Sequence, residues 1–151
     1  MANTYTQCYF HLIFSVKNRM SLLDEMTTLK LYPYIAGACK SRGHSLIAIG
    51  GMPDHIHLLV SMAPTEGLSA FVQSIKIQAT KWIHENTSIA YFSWQSGYAA
   101  FSYSRSLLPK VEEYINNQKE HHRKHSFDEE IRAILDKSGI DYNENFILRG
   151  V

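Results

Sequence analysis

The chain has 151 residues, 45% of them apolar, and its 15 Lys and Arg against 14 Asp and Glu leave a formal net charge of +1. That length fits one domain able to bury a core of its own, and the composition excludes a disordered chain. The near-neutral charge excludes a protein that coats nucleic acid by bulk charge, so any such partner must meet a local basic surface.

No apolar run reaches the roughly 18 residues of a membrane span, so no membrane association is expected. Met1-Ala2-Asn3-Thr4-Tyr5 lacks the basic and apolar parts of a secretory signal. Cys8 and Cys39 are too few for a disulfide framework or a zinc-finger pattern. A reducing cytoplasm is the expected location.

Residues 4–16 read as a first strand. Tyr5, Gln7, Tyr9, His11 and Ile13 alternate with Thr6, Cys8, Phe10, Leu12 and Phe14; both sets are bulky, which predicts a central strand. Lys17-Asn18-Arg19 follows with positive charge. Residues 22–41 carry apolar groups at helical spacing (Leu22, Met26, Leu29, Tyr32, Ile35, Cys39). Pro33 is expected to kink or split that helix, and Arg42-Gly43 to end it. Residues 45–50 and 55–62 read as a hairpin, with Gly50, Gly51 and Pro53 marking the turn and Asp54 its exit.

A second helix is predicted over 68–85, its stripe of Leu68, Phe71, Val72, Ile75, Ala79, Trp82 and Ile83 being a core face. After a loop at 88–95 comes a fourth strand at 97–104. A third helix over 107–124 opens with Ser106 and Pro109. A fourth spans 127–136 and ends at Ser138-Gly139, and 140–151 has no clear period.

Strand, helix, strand, strand, helix, strand is the ferredoxin-like βαββαβ order. The expected class is α+β: an antiparallel sheet with the first and third strands at its centre, and additional C-terminal helices. The whole chain, 1–151, is read as one domain, with a core at 4–104, an appended helix at 107–124, and a final helix and tail at 127–151.

The chemistry centres on His55-Ile56-His57. Side chains alternate along a strand, so both imidazoles share one face and Ile56 takes the other. Such a pair on a rigid strand can grip one metal ion, although a bare His-x-His is also common among half-exposed strand residues. The third predicted helix supplies what the pair lacks. Tyr114 and Gln118 stand four apart, hence on one face: a phenol that can act as a nucleophile and a carboxamide oxygen that can be a third hard ligand. Either residue alone fits ordinary helix packing. His121, one turn past Gln118, is a reserve ligand, and His121-His122-Arg123-Lys124-His125 also fits a solvated basic helix end.

Five ordered blocks then resemble one family. They are Tyr9-Phe10-His11-Leu12-Ile13-Phe14 with Lys17-Asn18-Arg19; Gly51-Met52-Pro53-Asp54-His55-Ile56-His57-Leu58-Leu59-Val60; Ser74-Ile75-Lys76 with Thr80-Lys81; Trp94-Gln95-Ser96-Gly97-Tyr98-Ala99-Ala100-Phe101-Ser102; and Tyr114-Ile115-Asn116-Asn117-Gln118. Together they resemble the single-tyrosine HUH transposases of the insertion sequence 200/605 class. Ala99 departs from a usual glycine and Tyr103 from a usual small aliphatic residue.

The resemblance implies that His55 and His57 bind Mg²⁺ or Mn²⁺ with Gln118 as third ligand. It implies that Tyr114 attacks a phosphodiester of single-stranded DNA bearing hairpins, leaving a 5′-phosphotyrosine and a free 3′-hydroxyl. It also implies a homodimer in which the tyrosine helix can complete the partner's site, and a short connection at 105–109 is consistent with such an exchange. Lys17, Arg19, Lys76 and Lys81 are the candidate DNA-backbone contacts. A domesticated relative cutting repeated hairpins, a nicking enzyme of replication or conjugation, and a non-catalytic ferredoxin-like nucleic-acid-binding module are the alternatives.

Overall fold

The computed structural model describes residues 3–144. Met1, Ala2 and the end of the aperiodic tail, 145–151, lie outside the described residues. Four strands, β1 (Tyr9–Ser15), β2 (Ser45–Met52), β3 (His55–Ser61) and β4 (Ala99–Ser102), form one antiparallel sheet in the order β2-β3-β1-β4. This is the ferredoxin-like arrangement expected, with β1 and β3 central. The register opposes His57 to Ile13 on β1 and to Gly50 on β2, which puts the histidine pair mid-sheet.

Period-2 alternation divides the sheet into two faces. Leu12 and Phe14 of β1 join Ile56, Leu58 and Val60 of β3 in the main core, under α1 (Glu25–Ser41) and α2 (Leu68–Asn86). The opposite face carries His11, Ile13, His55, His57 and Leu59. It is covered by α3 (Leu108–Asn116), α4 (Gln118–His122) and α5 (Phe127–Lys137), through two smaller apolar clusters. One joins Ile13 and Phe101 to Phe127, Ile131 and Leu135; the other joins Ala48 and Leu59 to Val111 and Ile115. A strand face holding two histidines is therefore roofed by helices.

Several local expectations change, the first and fourth strands shortening to Tyr9–Ser15 and Ala99–Ser102. The first helix begins at Glu25, capped by Asp24, whose side chain accepts from the Thr27 amide at 2.8 Å, and it runs unbroken through Pro33. Proline frees the carbonyl of the residue four positions earlier. That residue, Leu29, is exposed, so water can serve it. Met26 and Leu29, read as part of the buried stripe, face solvent; the buried face is Thr27, Leu31, Ile35, Ala38 and Cys39. Gly50 and Gly51 lie within β2, and the turn itself is Pro53-Asp54. The predicted helix over 107–124 breaks at Asn117 (φ −102°, ψ 25°) into α3 and α4.

Candidate active site

His55 and His57 are fully buried. Each has its Nδ1 engaged away from the helices. His55 Nδ1 lies 2.8 Å from Asp54 Oδ1, and His57 Nδ1 lies 2.7 Å from His11 Nε2. Such partners fix ring orientation and aim both Nε2 atoms toward the helical roof. Phe127, from the first turn of α5, stacks on His55 at 4.0 Å between centroids and 8° between planes.

Gly50 explains how α3 comes so close. A Cβ built at Gly50 would lie 2.3 Å from the Ile115 carbonyl oxygen, so only glycine admits the helix backbone against β2 at this point. One residue before Ile115 stands Tyr114, whose ring lies 5.7 Å from that of His57 between centroids. The break at Asn117 reorients the chain, and Gln118 becomes buried at the start of α4 with its Oε1 3.3 Å from His55 Nε2. Tyr114, Gln118, His55 and His57 thus converge within one chain. His121 and His122 join them: His122 Nε2 is 3.1 Å from Gln118 Oε1.

The hub of the cluster is a residue the sequence reading missed. Glu130, on α5, is 3% exposed. Its Oε1 lies 2.9 Å from His57 Nε2 and 3.4 Å from His55 Nε2. Its Oε2 accepts the Tyr114 hydroxyl and, at 3.2 Å, the Gln118 side-chain N–H. The same oxygen is 3.1 Å from His121 Nε2 and 3.3 Å from His122 Nε2. A signal was present: Glu130 falls between Phe127 and Ile131 on the apolar stripe of α5, where a carboxylate is out of pattern. Asp54 and His11 were likewise read only for turn and strand.

The electrostatics follow from burial and these contacts. Burial, with the nearby charge of His57, depresses His11 to about 3. Burial also takes His57 down to about 4, against the pull of Glu130. Burial opposes the charge on His55 too, but hydrogen bonds to Asp54 and Glu130 outweigh it, and its pKa is raised. Glu130 is buried, yet hydrogen bonds from His122, His55 and His57 hold it far below the ordinary carboxylate range. Burial and the Glu130 charge push the Tyr114 phenol well above its usual value.

The candidate DNA contacts divide. Lys17 and Lys81 are exposed. Lys76 donates to the Gln95 and Gly97 carbonyls at 2.8 and 2.6 Å, pinning the loop before β4. Arg19 pairs with Asp54 at 3.2 Å and Asp128 at 3.0 Å, and lies 4.2 Å over the Phe127 ring. It sits at φ 57°, a left-handed conformation that costs energy in a non-glycine residue and that these contacts hold in place. Two open cavities flank Tyr114. One of about 400 Å³ is lined by His11, Tyr103, Lys110, Tyr114 and Lys137, and the other, of about 390 Å³, by Lys110, Tyr114, His121 and Lys124. Lys110, Lys124 and Lys137 thus line the approach to the phenol, with Glu113 and Glu120 beside them in the second cavity.

The donor set fits a divalent cation. Neighbouring ligands of an octahedral ion with bonds near 2.1 Å lie about 3 Å apart. Three of the separations given above are of that order: His57 Nε2 to Glu130 Oε1 at 2.9 Å, His55 Nε2 to Gln118 Oε1 at 3.3 Å and His55 Nε2 to Glu130 Oε1 at 3.4 Å. Imidazole nitrogen with carboxamide and carboxylate oxygen suits Mn²⁺ or Mg²⁺. His55, His122 and Glu130 also offer ligand atoms within 4.8 Å of one another.

Comparison with known proteins bears on the family and the fold. The sequence model of the IS200-like transposases matches residues 4–118. The ISDra2 transposase TnpA of Deinococcus radiodurans is 25% identical over 122 residues, covering 74% of this chain and 84% of the relative. The transposase of insertion sequence element IS200 from Salmonella typhimurium is 21% identical over 126 residues, covering 80% and 82%. A crystal structure described as that of a transposase from Deinococcus radiodurans R1 superposes with a TM-score of 0.63 at 22% identity, over 78% of this chain and 95% of that one. A REP-associated tyrosine transposase bound to a REP hairpin superposes with a TM-score of 0.61 at 18% identity, over 81% and 73%. At these identities the two structures establish the shared fold.

Proposed function

The chain belongs to the IS200-like transposase family, and from that premise we propose that it cuts and rejoins single-stranded DNA at hairpin-bearing ends through a 5′-phosphotyrosine on Tyr114. The observation that carries the reading is the meeting, around one buried carboxylate, of the Tyr114 hydroxyl with the Nε2 faces of His55 and His57. A non-catalytic binding module has no use for a phenol held in that place. The hairpin bound by the REP-associated structural relative supports a hairpin DNA partner here.

His55, His57 and Gln118 would hold the divalent cation. When bound, it supplies Lewis-acid polarisation of the scissile phosphate and charge stabilisation as the phosphorane forms. The chain's own residues do the rest. The phenol is neutral at rest, so its proton leaves as the oxygen attacks phosphorus, and Glu130 Oε2, already its acceptor, relays that proton to solvent. The bond from phosphorus to the 3′-oxygen breaks as the bond to Tyr114 forms, and the departing 3′-oxygen takes up a proton. Attack by a different 3′-hydroxyl on the phosphotyrosine reverses these changes and joins a new pair of ends. One phosphodiester is exchanged for another, so no nucleotide triphosphate is consumed.

Tyr114 and the two histidines lie in one chain, and we assign each site to a single subunit. In the homodimer implied by the family resemblance, two such sites act side by side on two DNA ends. Lys110, Lys124 and Lys137 join exposed Lys17 and Lys81 as backbone contacts.

The test uses hairpin-bearing single-stranded oligonucleotides with Mn²⁺ or Mg²⁺. Tyr114→Phe should bind the hairpin as wild type does and form no covalent adduct. His55→Ala and His57→Ala should abolish cleavage, and EDTA should silence wild type. Full cleavage in EDTA would remove the metal from the mechanism, and an adduct with Tyr114→Phe would remove the nucleophile.

A further inference from the structure

Among the described residues Glu130 is the one buried acidic side chain. It comes from α5, beyond the segment 4–118 that matches the family. A carboxylate taken out of water is destabilising unless positive charge meets it. Among the described residues the ion-pair partners of Glu130 are all imidazoles, from His55, His57, His121 and His122. Two of them, His55 and His57, turn toward it the same nitrogens that face a cation in the reading above. Asp54 and His11 hold the opposite nitrogens.

We propose that Glu130 is itself a ligand of the divalent cation, entering through Oε1, while Oε2 keeps the Tyr114 hydroxyl in place. The proposal rests on the metal-dependent reading and adds to it a carboxylate from outside the family-matched segment. Three observations support it. Oε1 lies 2.9 and 3.4 Å from the two histidine Nε2 atoms, about the spacing of neighbouring ligands on one small ion. Two imidazoles and a carboxamide bring no negative charge, and a carboxylate supplies the hard, charged oxygen that Mg²⁺ and Mn²⁺ favour. The two oxygens face different groups, Oε1 the His55 and His57 nitrogens and Oε2 the phenol with His121 and His122, so one side chain ties the nucleophile to the ion it works with. The competing role is a counter-ion for protonated histidine with no part in holding metal.

Mn²⁺ binding, followed by electron paramagnetic resonance and titration calorimetry without DNA, separates the two. Glu130→Gln keeps size and hydrogen-bonding capacity while removing the charge. It should weaken Mn²⁺ binding at least about tenfold, and Glu130→Asp, which keeps the charge at shorter reach, should fall between it and wild type. His55→Ala is the control that removes the site. Should Glu130→Gln unfold, Glu130→Asp alone decides: binding equal to wild type overturns the proposal. Wild-type binding that His55→Ala removes and Glu130→Gln leaves within twofold, or tightens, overturns this proposal and spares the metal reading. A wild type that binds no Mn²⁺ overturns both.

Discussion

Gly50 has no side chain to contribute, yet it decides where Tyr114 stands. The Ile115 carbonyl occupies the space a Cβ would need at this position. Gly50→Ala must push α3 outward, and Tyr114 moves with it. Displacement of a reacting group by about 1 Å can cost on the order of 10²-fold in rate. Gly50→Ala should therefore keep its circular dichroism spectrum and hairpin affinity while adduct formation falls by roughly that factor; unchanged adduct formation would show that the close approach is immaterial.

The buried histidines carry a second prediction at this scale. His11 and His57 have folded values of about 3 and about 4, below the ordinary 6.5. Between those values the unfolded chain binds more protons, so the stability from keeping them neutral is present above about 6.5 and lost as pH falls toward 4. His55 has the opposite sign: raised in the fold, it stabilises below 6.5 and loses that contribution as pH rises through its folded value. Melting temperatures in EDTA should fall between pH 7 and pH 4 if the buried pair dominates, and His11→Gln should flatten part of the slope. An identical slope in His11→Gln would exclude His11 as a source.

At the scale of elements, α5 holds the site closed. Ser126 caps it, its hydroxyl accepting the Glu129 amide at 3.2 Å. Phe127 packs between His55 and Arg19, and Glu130 enters the cluster one turn later. Phe127→Ala empties a nearly closed position, 3% exposed, and truncations of this kind cost about 3–5 kcal/mol. Urea unfolding should show a loss of that order with adduct formation reduced as well; a loss below about 1 kcal/mol would mean that α5 is only loosely attached. Of this arrangement, the strands and the two core helices were legible because apolar periodicity reports burial directly. His55 and His57 were legible because alternation fixes their shared face. The stripe of α1 was misread at Met26 and Leu29 because helical spacing cannot say which edge of a wide apolar face meets the sheet. The break at Asn117 and the arrival of Glu130 depend on how α3–α5 dock on the sheet, which no local pattern encodes.

At the scale of the whole molecule, α3, α4 and α5 close over their own sheet through two apolar clusters. The family resemblance implies sites shared between subunits, and sharing would require those clusters to re-form against a neighbour's sheet. The single-chain assignment predicts that mixing His55→Ala with Tyr114→Phe restores no cleavage, since each site keeps one defect. Cleavage reappearing once subunit exchange is verified would put the tyrosine on the partner's histidines.

The central claim is that Tyr114 is the nucleophile of a strand-transfer reaction, and mass spectrometry of the trapped complex tests it most directly. Wild-type protein incubated with hairpin-bearing single-stranded DNA and Mn²⁺, then digested, should yield one modified peptide with a 5′-linked nucleotide on Tyr114. A modification on Tyr98 or Tyr103 instead, or cleaved DNA with no protein-linked phosphate, would contradict the account.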